Sequence, residues 1–395
     1  MDAIIGSSLS EGWKEALKDP LLSLNPPINP LFVPAWPSLD VQSAVSNNPV
    51  VDGMMSWLSW PSGTENMTTK VDLQFQKNAK SENKVYMAGV SPCFYTHYPE
   101  KNYLFRSDDH LYIKRWKELI NMPTAPDFIE IISWNDYGRL LSKLLLLSSH
   151  RHRSATQMIV THLLLTHFPG ESHYIGPIYS VVPDGTTWVS AIPKIPFNEI
   201  GLHQAWLSMT EYFIKWYKSG TQPPMTAERV YFHYRPHSVN AVASSDSLGP
   251  PENKAATTDA VYVATFLPKH SAARQLRVKI GNTSLQTFDN LPLGDIGLFS
   301  IPWTGSGGVV TVSVKDGSGN NILKGKGDVE ISNTIKTYNF NYAHTLLAND
   351  DCPHLSGSLT SSPSTSPLKA GLPSNSAANV IRTHMSLPVS ALNQK

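Results

Sequence analysis

Short apolar runs alternate with amphipathic stretches through the first part of the chain. The runs that read as buried strands occupy residues 31–36, 53–57, 85–91 and 128–134. Between the last two lies a stretch, residues 111–120, whose apolar positions recur near i, i+1, i+4, i+5 and i+8, on one side of a helix. Strands that alternate with helices favour a parallel α/β architecture, in which the C-terminal ends of the strands carry the chemistry.

The pattern changes after residue 222. An amphipathic helix at 205–217 is followed by a Gly/Pro-rich stretch, 220–224, which reads as a linker between domains. Beyond it, short apolar runs separated by turn residues predict strands at residues 230–234, 260–264, 276–280 and 309–314. Regularly spaced strands without helices indicate an antiparallel β-sandwich, here residues 228–345. The Ser/Pro-rich tail, 349–395, has little periodicity and is predicted to be disordered.

Composition excludes some partners and leaves others open. With 395 residues, of which 41% are apolar, the chain can build two domains with cores. Its formal net charge of +1 gives no electrostatic basis for binding nucleic acid or an anionic membrane, so neither is a predicted partner. The two cysteines, Cys93 and Cys352, could form a disulfide, although nothing in the sequence requires one. No secretory signal peptide is visible at the N-terminus, and no cofactor or metal is predicted.

Two separated fragments together carry the strongest chemical signal. The first is W-N-D-Y-G at residues 134–138, and the second is E-S-H-Y-I-G-P at residues 171–177. Joined, they would bring Asp136 and Glu171 three positions apart beside aromatic side chains. Cleavage of a glycosidic bond needs two carboxyl groups, one as acid and one as base or nucleophile, so these two are a candidate catalytic pair. From the residues alone an alternative stays open, in which Asp136 caps a helix and Glu171 lies on the surface.

These fragments and several others resemble glycoside hydrolase family 71, the fungal α-1,3-glucanases or mutanases. The matching stretches follow the family's order across residues 13–342, apart from 139–170, and lie at residues 32–39, 52–61, 90–98, 107–109, 129–138, 171–177 and 234–237. The resemblance implies an eight-stranded α/β barrel followed by a β-sandwich, and hydrolysis of α-1,3-glucan by a secreted enzyme acting on the fungal cell wall. It also assigns the catalytic pair to Asp136 and Glu171, and it implies an inverting mechanism with one general acid and one general base. A monomer is expected.

Strand-end positions supply the candidates for substrate contact. They are Trp57, Trp60, His97, Tyr98, Asp108, Trp134, Asn135, His173 and Tyr174. For each tryptophan, packing inside the barrel is an equally good interpretation. Cys93 departs from the family, which usually has tryptophan there, so one stacking position for the sugar is expected to be missing.

Residues 139–170 interrupt the motif. They contain no acid, several short leucine runs and four histidines. The apolar runs are too short for a membrane span and the histidine spacing fits no strong metal-ligand pattern, so neither interpretation is favoured. Codons for Gly138-Arg139 and Pro169-Gly170 can contain a splice donor and a splice acceptor, which favours the hypothesis of a retained intron translated in frame.

The resemblance also predicts only part of a barrel. The run at 31–36 corresponds to about the fifth barrel strand of the family, so residues 1–222 are expected to form about the last four strands of a TIM-type (β/α)8 barrel. An open half-barrel leaves an unpaired sheet edge and an uncovered apolar interior. The chain as written is therefore expected to be inactive, and the alternative to an active glucanase is a non-catalytic carbohydrate-binding remnant.

Overall fold

The computed structural model describes residues 8–36, 39–99, 101–134, 172–176, 203–283, 285–305 and 307–349. The predicted insert at 139–170 lies outside these residues, as does the predicted disordered tail apart from Asn349. The described α-helices are α1 (Leu9–Trp13), α2 (Asp19–Leu22), α3 (Val41–Ser46), α4 (Lys70–Ser81), α5 (Leu111–Ile120) and α6 (Gln204–Ser219). The described strands are β1 (Gly53–Ser56), β2 (Val85–Val90), β3 (Phe94–Tyr95), β4 (Leu104–Phe105), β5 (Phe128–Ile131), β6 (Arg229–Tyr234), β7 (Ala260–Phe266), β8 (Ala273–Ile280), β9 (Gln286–Asp289), β10 (Ile296–Pro302), β11 (Gly307–Gly308), β12 (Val310–Asp316), β13 (Asn321–Lys326), β14 (Ile331–Ser332) and β15 (Ala343–Ala348).

The first part of the chain contains a parallel sheet with the strand order β1-β2-β5. The whole of β1 and the C-terminal half of β2 are buried, as their apolar and small residues lead one to expect. Helix α5 buries Trp116 and Leu119 in the same cluster as Tyr86 of β2. The strands predicted at 53–57, 85–91 and 128–134 are confirmed in shortened form, and the helix predicted at 111–120 is confirmed as α5.

The prediction of a strand at residues 31–36 is wrong. The segment is extended alongside β1, where the backbone N–H groups of Asp52 and Met55 donate to the carbonyls of Phe32 and Pro34, both at 2.9 Å. Pro34 has no N–H with which to return a bond, so a regular ladder cannot form there. The segment still flanks the sheet and buries Trp36, which is 3% exposed.

Helix α4 is attached through a polar contact. Asp72 is 1% exposed, and its two carboxylate oxygens each accept a 2.7 Å hydrogen bond from Arg115 of α5. The hydroxyl of Tyr86 in β2 donates a further bond of 2.6 Å. A carboxylate removed from water needs such partners, because an unpaired buried charge is strongly unfavourable. The contact therefore fixes α4, α5 and the parallel sheet to one another.

Two antiparallel sheets of four strands each form most of the second part of the chain. Their strand orders are β10-β7-β6-β15 and β13-β12-β8-β9. Both contribute to one apolar core, which includes Phe232 and Val263 from the first sheet and Val278 and Val312 from the second, each at most 1% exposed. The strands predicted at 230–234, 260–264, 276–280 and 309–314 are confirmed within a few residues. The edge strand β9 was missed because most of its side chains face solvent, and β13 was missed because only one of its six residues is buried.

Helix α6 packs the first part of the chain against the second. One buried cluster contains Trp206 and Phe213 of α6, Trp116 of α5, Tyr231 of β6 and Phe266 of β7. The fold is thus mixed α/β with mostly antiparallel strands, and its two parts share an apolar interface. Among the helices that the structure describes, none is long and apolar enough to cross a bilayer.

Four buried histidines lie where the two parts meet. His110 precedes α5 and His203 precedes α6, and burial lowers the pKa of each to about 4. His233 and His344 are paired across β6 and β15, and burial lowers their pKa values well below the usual 6.5. The ring of His344 packs on Trp206 with 3.7 Å between centroids, and neither of its nitrogens has a hydrogen-bond partner among the described residues. At neutral pH the folded protein therefore keeps these four rings uncharged.

We expect the free energy of unfolding to fall as the pH drops from about 6.5 towards about 4. Above this window the rings are neutral whether the chain is folded or not, whereas within it the unfolded chain binds protons that the folded protein excludes. His344→Phe keeps the packing on Trp206 and removes one of these groups, so the loss of stability between pH 7.5 and pH 4.5 should shrink by about 2 kcal/mol. Urea unfolding at both pH values measures this. The exposed His270 provides the control, since His270→Gln should lose as much stability as the parent; an equal loss in His344→Phe would contradict the prediction.

Candidate active site

The candidate site lies at the C-terminal end of β5, where the chain is held against a second segment, residues 172–176. Ser133 donates its N–H to the carbonyl of His173 at 2.9 Å, and its own carbonyl accepts the N–H of Ile175 at 2.9 Å. The N–H of Gly176 donates to the carbonyl of Trp134 at 2.8 Å. These bonds bring the flanks of the two motif fragments side by side, although they are far apart in sequence. Asn135, Asp136 and Glu171 lie outside the described residues.

Ser172 anchors the start of this second segment. It is fully buried, its N–H donates to the carbonyl of Tyr95 at 2.9 Å, and its hydroxyl donates to Oδ1 of Asn341 at 2.6 Å. The N–H of Asn341 in turn donates to Oδ1 of Asn339 at 3.1 Å, and the N–H of Asn339 donates to Nε2 of His237 at 2.9 Å. This chain of bonds ties residues 172–176 to the second part of the molecule.

Cys93 lies beneath the same segment. It is 3% exposed, and its thiol donates a weak hydrogen bond to the carbonyl of Ser172 at 3.6 Å. Burial raises the pKa of the Cys93 thiol to about 12, so this side chain is protonated and unsuited to nucleophilic chemistry. The other cysteine, Cys352, lies outside the described residues.

An aromatic cluster surrounds His173. Trp60, which is 4% exposed, stacks on Phe105 with 5.5 Å between centroids and lies 5.8 Å from the ring of His173. The hydroxyl of Ser133 lies 3.0 Å from Nδ1 of His173 and so orients the imidazole. Trp57 packs edge-on against Trp60 at 6.5 Å and is partly exposed. The structure therefore brings Trp57 and Trp60, from one stretch of sequence, together with His173 from another.

Asp108 lies deep between the two parts of the molecule. Its Oδ1 accepts hydrogen bonds from Arg235 at 2.8 Å and from the hydroxyl of Tyr342 at 2.6 Å, and its Oδ2 accepts the N–H of Thr258 at 2.6 Å. Burial opposes ionisation, but the charge of Arg235 and the bond from Tyr342 outweigh it, so the pKa of Asp108 is lowered. The carboxylate is thus ionised and already has three protein partners.

The remaining residues that were predicted to contact the substrate are either buried or exposed to solvent. His97 is 2% exposed, and its ring nitrogens hydrogen-bond with Asn102 and with Asp246 of the second part, both at 2.8 Å. Tyr174 is 1% exposed and stacks on His203 with 4.1 Å between centroids. Tyr98 is partly exposed, and the indole of Trp134 is 49% exposed. Trp57, Tyr98 and Trp134 therefore reach solvent, whereas Trp60, His97, Asp108, His173 and Tyr174 lie inside the protein.

A cavity of about 250 Å³ opens between the loop after β1 and α5, and Asp108 is one of its lining residues. Its lining includes Asn66, Arg106, Asp109 and Glu118. Burial raises the pKa of the Glu118 carboxyl. Within the described residues, no group of three or more His, Cys, Asp or Glu side chains is arranged to hold a metal ion.

Sequence reasoning missed Ser172, Gly176, Arg235 and Asn341 as parts of this site. The first three lie inside stretches that carry the family resemblance, so a closer look at the polar and glycine positions of those stretches could have found them. Nothing in the sequence near Asn341 points to Ser172, which is 169 positions away.

Comparison with known proteins identifies a matching family and several relatives. The family that matches is glycosyl hydrolase family 71, over residues 3–140 and 169–353. A glucan endo-1,3-alpha-glucosidase of Schizosaccharomyces pombe is 33% identical over 338 residues, which cover 85% of this chain and 66% of that protein. An ascus wall endo-1,3-alpha-glucanase of the same yeast is 31% identical over 357 residues (87% and 71%), and a mutanase of Penicillium rubens is 31% identical over 329 residues (78% and 59%). The chain thus spans roughly two thirds of the length of these relatives. No solved structure matches.

The match skips residues 141–168. This gap falls inside the stretch 139–170 that sequence reasoning identifies as an insert. The residues on both sides of it, including those that carry the two motif fragments, belong to the matched regions.

We expect Asn341→Ala to lower the free energy of unfolding by about 1–3 kcal/mol, because it leaves the buried hydroxyl of Ser172 without its acceptor. Ser172→Ala in the same chain should remove part of that penalty, so the double variant should lose less than the sum of the single losses. Urea unfolding of the four proteins in this cycle measures the coupling. Ser208→Ala removes a different buried hydroxyl, bonded to Tyr231 at 3.0 Å, and its effect should simply add to that of Asn341→Ala. Additive losses for Ser172 and Asn341 would contradict the proposed contact.

Proposed function

Because the chain belongs to glycosyl hydrolase family 71, we propose that it is a glycoside hydrolase that acts on α-1,3-glucan. The observation that carries this proposal is the family match on both sides of the insert, which includes both motif fragments. Two of the relatives are named as a glucan endo-1,3-alpha-glucosidase and an endo-1,3-alpha-glucanase, which supports this substrate. The relative named for the ascus wall favours a location at the cell wall or outside the cell.

In the proposed mechanism, Asp136 and Glu171 act as general acid and general base. One carboxyl protonates the leaving oxygen while the other activates a water on the opposite face of the sugar, with the two groups roughly 6.5–9.5 Å apart as in other inverting glycosidases. Two carboxyls that share a site push their pKa values apart, which keeps one protonated and one ionised. Support comes from the backbone bonds between Ser133–Trp134 and residues 173–176, since each of these segments leads directly into one member of the pair.

We assign direct contact with the glucan to the candidates that reach solvent, Trp57, Tyr98 and Trp134, together with Asn135. Trp60, His97, Asp108, His173 and Tyr174 then act from within the protein, by holding the loops and strand ends that present the others. The support for this division is their burial and their protein partners.

For the fold, we propose a part of an α/β barrel followed by a β-sandwich, divided near residues 222–228. The alternation β1-α4-β2-α5-β5 with parallel strands supports the first element. The two antiparallel sheets with their common core support the second.

A second candidate function is a carbohydrate-binding remnant without catalysis. One observation favours it: residues 139–170, most of which have no counterpart in the family, separate the two carboxyls in the sequence. In this case the aromatic side chains would still bind the polysaccharide, whereas the acid and base would not meet at one glycosidic bond.

We expect the full chain to release no reducing sugar from insoluble α-1,3-glucan. A shortened variant, which lacks residues 139–170 and is preceded by the first barrel strands of one of the relatives, should release it. In that shortened variant, Asp136→Asn and Glu171→Gln should each lower the rate by about 10²–10⁴, the usual contribution of a general acid or base. Full activity of either amide variant would refute the assignment of the pair. A shortened variant that binds glucan without cleaving it would favour the remnant.

Sequencing of the mature transcript tests the origin of the insert separately. We expect the codons for residues 139–170 to be absent. Their retention in the mature message would reject the intron hypothesis.

A further inference from the structure

We propose that the exposed indole of Trp134 is a stacking platform for one neutral pyranose ring of the glucan chain, and that Gly176 is the positioning residue that holds it. This inference rests on the proposed action on α-1,3-glucan. It concerns binding, however, so it can be tested whether or not the chain cleaves the polymer.

Trp134 differs from the other tryptophans that the structure describes. Its indole is 49% exposed, whereas Trp57 is partly exposed and the remainder are buried. It lies three residues after the last residue of β5, at the end of a parallel strand where α/β proteins bind their ligands. A single exposed apolar side chain is common on protein surfaces and does not by itself indicate a site. A binding platform also requires that the protein hold the ring in one position.

Gly176 provides a close-fitting support for the indole. A methyl group added at Gly176 would lie 2.4 Å from the carbonyl oxygen of Trp134 and 2.9–3.0 Å from two atoms of its ring. Gly176 is absent from the described glycines with positive φ, so the backbone conformation itself does not require glycine there. Glycine is needed because the backbone approaches the tryptophan closely, which no larger residue allows without displacing the ring.

The backbone around the platform is fixed on both sides. The N–H of Gly176 donates to the carbonyl of Trp134 at 2.8 Å, and Ser133 is bonded to both His173 and Ile175. A ring whose position is set before the ligand arrives loses little conformational freedom on binding. The geometry is therefore that of a preformed surface rather than of a loosely placed side chain.

The chemistry of the ring selects the ligand class. The face of an indole carries partial negative charge, and the C–H groups on the face of a pyranose carry partial positive charge, so the two faces attract while the hydroxyl groups stay in water. This contact needs no charge on the ligand. An α-linked glucan, which is neutral and built from pyranose rings, fits it.

The test compares binding of the full chain and its variants to insoluble α-1,3-glucan by depletion from solution. Trp134→Ala should bind roughly five- to tenfold more weakly, the size expected for one aromatic stacking contact. Trp134→Phe, which keeps an aromatic face, should lose less. Gly176→Ala should weaken binding to a similar extent as Trp134→Ala, because it displaces the ring. Gly63→Ala is the matched control, since an added methyl there meets no atom within 4 Å, and its binding should equal that of the parent.

Quenching by acrylamide reports the position of the ring without substrate. Gly176→Ala should change the quenching of tryptophan fluorescence, and this change should be absent when Trp134→Phe is combined with it. Thermal unfolding of each variant shows whether it is folded. Should Gly176→Ala fail to fold, the comparison of Trp134→Ala with Trp134→Phe still decides whether the platform exists.

Sugar release by the shortened variant separates this inference from the proposed function. Weaker binding by Trp134→Ala supports the platform, and failure of the shortened variant to release sugar contradicts the proposed hydrolysis independently of it. Unchanged binding by Trp134→Ala overturns the platform, even when sugar release by the shortened variant supports hydrolysis. Unchanged binding and quenching in a folded Gly176→Ala overturn the role of Gly176, and a parent that does not bind the glucan overturns the platform.

Discussion

The buried ion pair between Asp108 and Arg235 determines how the two parts of this molecule meet. Two charges withdrawn from water are tolerated only when further hydrogen bonds complete the pair, and Tyr342 and Thr258 supply them here. Asp108 lies in the loop before α5 in the first part, and Arg235 directly follows β6 in the second part. Removal of one partner from the folded protein would leave the other charge buried and unpaired, at a loss of about 3–5 kcal/mol.

The same interface reaches the candidate site. Asn341 holds Ser172, and Asp246 holds His97, so polar groups of the second part bond directly to the segment beside the end of β5 and to the loop after β3. The second part is therefore a structural component of the site. Its apolar contact with α6, together with the uncharged histidines between them, makes this arrangement sensitive to acid.

The apolar pattern predicted most of the framework, because buried strands and the amphipathic helix α5 carry it in their own residues. It did not reveal α4, whose buried positions include Asp72 and Gln76, because a helix attached through polar contacts has little apolar periodicity. Sequence analysis assigned Asp108 and His97 to substrate contact because both are polar residues near strand ends. Their partners, Arg235 and Asp246, lie more than a hundred positions later, and local sequence carries no information about such pairing.

The hydrogen bonds between Ser133–Trp134 and residues 173–176 have one more consequence, for the evolution of the gene. They fasten the two borders of the motif to each other, so the borders need not rely on a short connection to stay adjacent. Closing a longer loop between fixed points adds only about 0.6 kcal/mol for each doubling of its length. Extra residues at this position therefore lower the stability of the fold only slightly. Selection against acquiring their codons would act through loss of activity and not through loss of the fold.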